Sequence, residues 1–215
     1  ITGYSRPPEY KHFIVAPHGM RSFFEYMIRQ ETENAKKGLP SGITVKVNSL
    51  VDPKIIELLY EASKAGVRVQ LIVRGICCLI PGIEGVSENI TVMSIVGQLL
   101  EHSRIFRFGN AGNPRIYMGS ADWMPRNLDR RVELVFPIED ETQKTRAFGI
   151  LDTMLSDTTN ARFMQSDTSY EHVDLRGKKK ISSQLTFYHE AQARLKELQS
   201  IEKDSVLIPI HSAEE

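Results

Sequence analysis

The sequence has few of the features that mark secreted or membrane-spanning proteins. Only two of its 215 residues are cysteines. Because Cys77 and Cys78 are adjacent, they have neither the spacing of a loop-closing disulfide nor that of a metal-ligand pair, and we expect buried free thiols at a strand end. No apolar run approaches the roughly 20 residues that span a bilayer, and no secretory signal opens the chain. The expected compartment is the cytoplasm, with peripheral attachment to a membrane left open.

The chain also lacks an excess of either charge. Lys plus Arg and Asp plus Glu number 27 each, so the formal net charge is zero. A neutral total favours neither nucleic acid nor a transmembrane or membrane-surface role, and any anion site must come from local clustering of basic residues. The 41% hydrophobic and 25% charged residues are typical of a globular domain. Since the sequence starts at Ile1 without methionine, we expect a piece of a longer protein.

Alternating strand and helix patterns predict an α/β fold. Residues 43–50 and 67–73 have the composition of strands, and between them Asp52 and Pro53 are typical of the start of a helix that ends at Gly66. A strand, a capped helix and a second strand with short connections form a βαβ unit with parallel strands. Because such strands are usually covered on both faces, we expect a sheet sandwiched by helices.

Other segments extend this pattern on both sides of the βαβ unit. Apolar residues at helical spacing predict a helix from Met20 to a stop at Gly38, and Asp140 is the predicted cap of another helix. The Gly- and Asn-rich turn at 109–114 predicts a hairpin between its flanking strands. Further strands are predicted at 88–96, 103–108, 115–118 and 131–138, and the last helix at 182–200.

Candidate ligand-binding residues lie at the ends of the predicted strands. In open α/β sheets, ligands bind beyond the carboxyl ends of the strands. Asn48 and Arg74 stand at the ends of strands 43–50 and 67–73. His102 instead precedes strand 103–108, so it joins the same site only if that strand runs antiparallel to the first two. This antiparallel orientation is a prediction.

The segment Leu100–Arg131 contains the remaining candidates. His102 and Arg104 are two residues apart in a predicted strand, which places them on one face. Histidine exchanges protons near neutral pH, and arginine binds phosphate oxygens in a fork geometry. Gly119 and Ser120 are small enough to let the backbone approach a ligand. The predicted phosphate site consists of His102 as the catalytic residue with the binding residues Asn48, Arg74, Arg104, Arg130 and Arg131.

Only one of the last two arginines is expected to reach the ligand. Arg130 and Arg131 are adjacent, and neighbouring residues on a strand point to opposite faces. The other arginine is expected to pair with Asp129 or Glu133 at the surface.

The pair His102 and Arg104, followed by Gly119 and Ser120, resembles one half of the phospholipase D superfamily signature, His-x-Lys then Gly-Ser-x-Asn. Arg104 stands in place of the lysine, and Asp122 is the nearest match to the asparagine. None of the other histidines has the same followers, whereas that superfamily uses two copies of the motif.

Longer strings resemble the C-terminal part of bacterial polyphosphate kinases, whose catalytic half is phospholipase D-like. These strings are residues 48–90, 94–110 and 117–138. The resemblance implies an α/β fold with a phospholipase D-like mixed sheet. It also implies that residues 1–18 are the end of a preceding catalytic domain and a linker, and that 19–215 form the C-terminal catalytic domain.

The same resemblance implies a function, the reversible transfer of the terminal phosphoryl group of ATP to polyphosphate. A histidine of the preceding domain, absent from this chain, would carry the phosphoryl group. His102, in the string LEHSR, would face it, and Arg74 would bind the nucleotide phosphates. Family enzymes need Mg²⁺, whose ligands are expected in the preceding domain, so no metal ligand is assigned here. The expected partners are ATP or ADP, polyphosphate and the preceding domains, with a homo-oligomer left open.

Two alternatives belong to other functional classes. A phospholipase D-type phosphodiesterase would complete its site by dimerising through His102. A non-catalytic module would hold polyphosphate or nucleic acid through its arginines and lysines. Stacking aromatics are sparse among the basic residues, which disfavours nucleic acid. In the kinase reading, the isolated fragment is expected to be inactive.

Overall fold

The computed structural model describes residues 10–177 and 179–204. Part of the predicted linker (1–9) and the C-terminal residues 205–215 lie outside the described residues. The described strands are β1 (Ile14–Ala16), β2 (Ile43–Val47), β3 (Val69–Val73), β4 (Ile90–Ile95), β5 (Ile105–Phe108), β6 (Arg115–Gly119), β7 (Glu133–Pro137), β8 (Ala161–Met164) and β9 (Tyr170–His172). The α-helices are α1 (Met20–Lys36), α2 (Pro53–Lys64), α3 (Pro125–Asp129), α4 (Glu141–Leu155) and α5 (Ser183–Asp204).

All nine described strands form one mixed sheet. Their order across the sheet is β1-β7-β6-β5-β2-β3-β4-β8-β9. The three central strands β2, β3 and β4 are parallel, which confirms the predicted βαβ unit. Strand β5 pairs with β2 in the antiparallel direction, as the placement of His102 required, and β5 and β6 form the predicted hairpin.

Local sequence signals account for the starts of helices α2 and α4. The Asp52 carboxylate accepts a hydrogen bond from the Ile55 amide at 3.0 Å, and Pro53 occupies the first turn of α2. Asp140 accepts from the Gln143 amide at 2.9 Å at the start of α4. Each carboxylate satisfies an amide that has no partner inside its helix, so both caps fix where the helix begins.

Helices cover both faces of the sheet, as predicted. Helices α1, α2 and α3 pack on one face over a large apolar core in which Phe24, Phe106 and Trp123 contact one another. On the other face, Leu151 of α4 and Phe187 of α5 pack in a smaller core. The sheet is therefore sandwiched, and the α/β class is confirmed. Within the described part of the chain, no helix has the length and apolar character needed to cross a membrane.

Several predicted strands are shorter than the sequence indicated, and two of these differences affect the candidate site. Strand β5 begins at Ile105, whose partner is Lys46 at the end of β2, so the prediction that His102 and Arg104 lie on that strand is wrong. A hydrogen bond from Arg104 Nη1 to the His102 carbonyl, 2.7 Å, holds this stretch as a loop. Strand β7 begins at Glu133, which leaves Arg130 and Arg131 in the connection after α3.

The two cysteines differ in environment. Both are free thiols, as expected, but Cys77 is half-buried and Cys78 is exposed, so the prediction that both are buried is wrong for Cys78. Burial raises the pKa of Cys77 to about 11. Cys77 is therefore a thiol rather than a thiolate at neutral pH.

Candidate functional site

The sequence-predicted candidates gather at one edge of the sheet. Asn48 follows β2 and Arg74 follows β3, and these strands are parallel. Because β5 is antiparallel to β2, His102 before β5 reaches the same edge as the carboxyl ends of β2 and β3. Strand β6 is antiparallel to β5, so the loop after it brings Asp122 to this edge as well. Residues distant in sequence thus meet because of the strand directions.

Arg74 is held by neutral oxygen atoms. Its Nε and Nη2 donate to Asn48 Oδ1 at 2.9 and 2.6 Å, and its Nη1 donates to the Glu101 carbonyl at 3.0 Å. The Gly75 amide donates to the Asn48 carbonyl at 2.8 Å, and a Cβ on Gly75 would lie 3.0 Å from that oxygen. None of these partners is a carboxylate, so the positive charge of Arg74 is oriented but not neutralised.

His102 lies against Arg74 at the surface. Its Nδ1 is 3.4 Å from Arg74 Nη2. The expected convergence of this imidazole and guanidinium is therefore confirmed. Partial burial and the charges of Arg104 and Arg74 lower the pKa of His102 below its ordinary value. The ring is thus neutral at physiological pH, with Nε2 available to a ligand.

Arg104 is neutralised by an aspartate. Its Nε and Nη2 donate to the two carboxylate oxygens of Asp122 at 3.1 and 3.0 Å, with side chains that are 11% and 7% exposed. Asp122 Oδ1 also accepts a hydrogen bond from the backbone amide of Asn48 at 2.7 Å. This bidentate pair fixes the loop after β6 against both β2 and the His102 loop.

A buried ion pair under the site was missed in the sequence. Lys46, only 2% exposed, lies 2.7 Å from Glu101 and also donates to the Ser103 carbonyl. Burial lowers the pKa of Lys46. Burial alone would raise the pKa of Glu101, but hydrogen bonds from Lys46 and Ser103 bring it below its ordinary value. The pair anchors the residues on both sides of His102. The available signal was a lysine in the otherwise apolar string ITVKV.

The Gly119-Ser120 pair packs against the neighbouring strand β7. A Cβ on Gly119 would overlap the Leu134 carbonyl of β7, so a larger residue would separate β6 from β7. Ser120 hydrogen-bonds Glu133 and accepts from the Leu134 amide at 3.1 Å. The small size of Gly119 is therefore explained by its approach to β7, and the approach of a ligand to this pair stays a prediction.

Arg130 and Arg131 are exposed, and neither lies on a strand. Among the described residues, no ion pair within 4 Å joins Arg130 or Arg131 to Asp129 or Glu133. Hydrogen bonds from Arg21 are the main cause of the lowered pKa of Asp129, and the charge of Arg130 adds to this effect. Asp129 binds Arg21 through two hydrogen bonds of 2.6 Å, and Glu133 hydrogen-bonds Ser120 and Asn127.

Carboxylates near the site are engaged with cations or hydrogen-bond donors. Asp122 binds Arg104, and Glu101 binds Lys46. Within residues 10–177 and 179–204, no group of three or more His, Cys, Asp or Glu side chains is arranged to hold a metal ion. Mg²⁺ requires oxygen ligands that are free to coordinate it. The described residues of this chain therefore do not form a metal site with three or more protein ligands by themselves.

The sequence matches a family of known proteins. Residues 13–184 match the family model described as polyphosphate kinase C-terminal domain 2. A polyphosphate kinase from Lactiplantibacillus plantarum is 50% identical over 196 residues, which are 91% of this chain and 27% of that protein. One from Escherichia coli is 43% identical over 183 residues, 85% of this chain and 27% of that protein. The chain thus spans about a quarter of the length of these relatives.

Solved structures show the same fold. The crystal structure of polyphosphate kinase from Porphyromonas gingivalis superposes with a TM-score of 0.84 and 36% identity, over 88% of this chain and 29% of that one. A phospholipase D family member, Nuc from Salmonella typhimurium, superposes with a TM-score of 0.50 and 14% identity, over 72% of this chain and 97% of that one. At that identity the second match shows a phospholipase D-like fold alone. On the family model and the identity to its relatives, this chain belongs to the polyphosphate kinase family and corresponds to the C-terminal domain 2.

Proposed function

We propose that this chain is the C-terminal catalytic part of an ATP:polyphosphate phosphotransferase. It would take part in the reversible transfer of the terminal phosphoryl group of ATP to polyphosphate, with the phosphohistidine on a domain outside this chain. The observation that carries the proposal is the contact of Arg74 with His102 at the sheet edge. It is supported by the family membership and by the absence of a carboxylate among the hydrogen-bond partners of Arg74.

Arg74 is the proposed phosphate-binding residue. Phosphoryl transfer spreads negative charge over the oxygens of the transferred group, and catalysis comes mainly from positioning and fixed positive charge. A guanidinium held by three hydrogen bonds to neutral oxygens supplies such a charge without needing to reorganise. Asn48, whose Oδ1 accepts two of these bonds, is proposed as a positioning residue for Arg74.

His102 is the proposed catalytic residue of this chain. A neutral imidazole whose Nδ1 faces Arg74 presents Nε2 to a phosphoryl oxygen or to the opposing phosphohistidine. From there it exchanges a proton or stabilises charge during transfer. Arg104 holds the His102 carbonyl and is paired with Asp122, so we assign it a positioning role. Exposed Arg130 and Arg131 are the proposed contacts for the outer part of the phosphate chain.

The remaining assignments concern what lies outside this chain. Mg²⁺ is proposed to be bound by the preceding domain, since the carboxylates here have other partners. Residues 1–18 are proposed as the end of that domain and a linker, although β1 pairs with β7 in the present sheet. ATP, ADP and polyphosphate are the proposed ligands, with a homo-oligomer left open. ATP as a substrate and two unpaired thiols fit the cytoplasm.

A chimeric enzyme tests the proposal. Residues 13–184 replace the matching segment of the Lactiplantibacillus plantarum polyphosphate kinase, and ATP-dependent polyphosphate synthesis is measured with Mg²⁺. We expect activity from the chimera, a loss of at least about 100-fold on His102→Gln, and no activity from the isolated chain. The matched control is His172→Gln, on β9. Full activity of the His102→Gln chimera, or robust synthesis by the isolated chain, would contradict the division of the site.

A further inference from the structure

A cavity adjoins Arg74, and strands on the side away from His102 line the rest of it. It has a volume of about 390 Å³, and its lining includes Arg74, Ser94, Asn160, Arg162 and Tyr170. No acidic residue is among the described residues that line it. Strands β4 and β8, which carry Ser94 and Arg162, were not part of the predicted site.

Strand pairing explains why a second arginine reaches this cavity. Ser94 of β4 is the register partner of Arg162 on antiparallel β8, so their side chains share one face. The Ser94 hydroxyl donates to the Arg74 carbonyl at 3.2 Å. Strands β3, β4 and β8 are consecutive in the sheet, and two strand spacings amount to about 10 Å. Arg74, which follows β3, and Arg162 on β8 both line the cavity, with Ser94 of the intervening strand β4 between them in the sheet order.

Both arginines keep their charge. Arg74 is bound by neutral oxygens and by the imidazole of His102, and the Arg162 side chain has no hydrogen bond or ion pair to any other residue that the structure describes. By contrast, Arg21, Arg104 and Arg107 each pair with an aspartate. Burial raises the pKa of Tyr170, so its phenol remains a hydrogen-bond donor at neutral pH. The cavity therefore offers two cations and a hydroxyl donor, a set suited to several phosphate groups in a row.

We propose that this cavity is a second anion subsite, in which Arg162 and Tyr170 bind the phosphates of a linear phosphoanhydride chain beyond the phosphate at Arg74. The chain is that of polyphosphate or the triphosphate of ATP. The subsite rests on the proposed function, because it assumes that Arg74 holds one phosphate of the same ligand. The affinity of such a subsite should depend on the number of phosphates in the ligand, since a short ligand occupies only the position at Arg74.

The test measures affinity as a function of the number of phosphates. The 215-residue chain is titrated with pyrophosphate, tripolyphosphate and ATP, and weak binding is followed through amide and arginine Nε–H signals in NMR spectra. Wild type should bind tripolyphosphate more tightly than pyrophosphate. Arg162→Gln should weaken tripolyphosphate binding about tenfold, the loss of one charge-assisted contact, and leave pyrophosphate within twofold. Arg162→Lys should recover part of the loss.

The matched control is Arg68→Gln. Because both variants replace an arginine with glutamine, they have the same net charge. Arg68 is exposed and precedes β3, at the opposite end of the strand from Arg74. Equal weakening by both variants, equal weakening of both short and long ligands, or no preference of wild type for length would overturn the subsite. A loss confined to tripolyphosphate assigns the subsite to polyphosphate, and a parallel loss for ATP assigns it to the nucleotide. If Arg74→Gln changes no affinity, the proposed function fails by itself.

Discussion

Arg74 and Arg104 flank the same histidine in opposite electrostatic states. Arg104 is clamped by both oxygens of Asp122, whereas Arg74 is clamped by an amide oxygen and a carbonyl. Both guanidinium groups are fixed in position by hydrogen bonds. Only Arg74 retains a charge that an anion can use. The comparison shows that the partner, and not the residue type, separates a ligand-binding arginine from a structural one.

The difference arises from what each strand end supplies. The loop after β6 provides Asp122 opposite Arg104, while the end of β2 provides Asn48 opposite Arg74. Asn48 and Asp122 are themselves joined, since the backbone amide of Asn48 donates a hydrogen bond to the Asp122 carboxylate at 2.7 Å. Asp122 and Asn48 are thus held together, and each accepts hydrogen bonds from a different arginine.

Removing the charge of Arg74 should have the largest effect. We expect Arg74→Gln to lower kcat/KM for polyphosphate synthesis by the chimera about 10²–10³-fold, the usual loss for a fixed group that stabilises transition-state charge. Its free energy of unfolding should change by less than about 1.5 kcal/mol, because only hydrogen bonds to neutral groups are lost. Steady-state kinetics and urea unfolding measure the two quantities. Arg68→Gln serves as the charge control, and activity of Arg74→Gln within threefold of wild type would refute the role.

Arg104→Gln should instead act on stability. It leaves the buried Asp122 carboxylate without its cation, and we expect the free energy of unfolding to fall by about 2–4 kcal/mol. Urea denaturation of the chain measures this loss, and adding Asp122→Asn should restore part of it. Arg107→Gln is the matched control, since its pair with Asp152 is 35% and 61% exposed and should contribute less than about 1 kcal/mol. Equal losses of unfolding free energy for Arg104→Gln and Arg107→Gln would contradict the structural role of Arg104, and with it the contrast with Arg74.

The smallest effect concerns the protonation of His102. Burial, Arg104 and Arg74 lower its pKa, so removing one cation in Arg74→Gln should raise that pKa by a fraction of a unit towards the ordinary value. NMR titration of the imidazole measures the shift, with Arg68→Gln as control. Protonation adds a positive charge, so pyrophosphate affinity should increase as pH falls through the pKa of His102. His102→Gln should lose this increment. A pKa of His102 that is unchanged or lower in Arg74→Gln would contradict the proposed geometry.

Several features of the fold followed from local patterns. Asp52 and Pro53 start α2 as predicted, and the β2–α2–β3 unit is parallel because short connections allow little else. The antiparallel direction of β5 was required by the placement of His102 and is confirmed. The predicted start of β5 was wrong near the site. There, the carbonyls of His102 and Ser103 accept hydrogen bonds from the side chains of Arg104 and Lys46 instead of from a neighbouring strand.

The sequence by itself determined the α/β class, the central βαβ unit and the family resemblance, and it predicted that His102 and Arg74 share one site if β5 is antiparallel. Only the tertiary structure decided that Arg104 is neutralised by Asp122, that Gly119 accommodates β7, that Lys46 and Glu101 lie beneath the site, and that Arg162 shares a cavity with Arg74. The reason is that periodicity and caps act over a few residues. The net charge available at an arginine depends on which oxygen atoms other strands bring within about 3 Å.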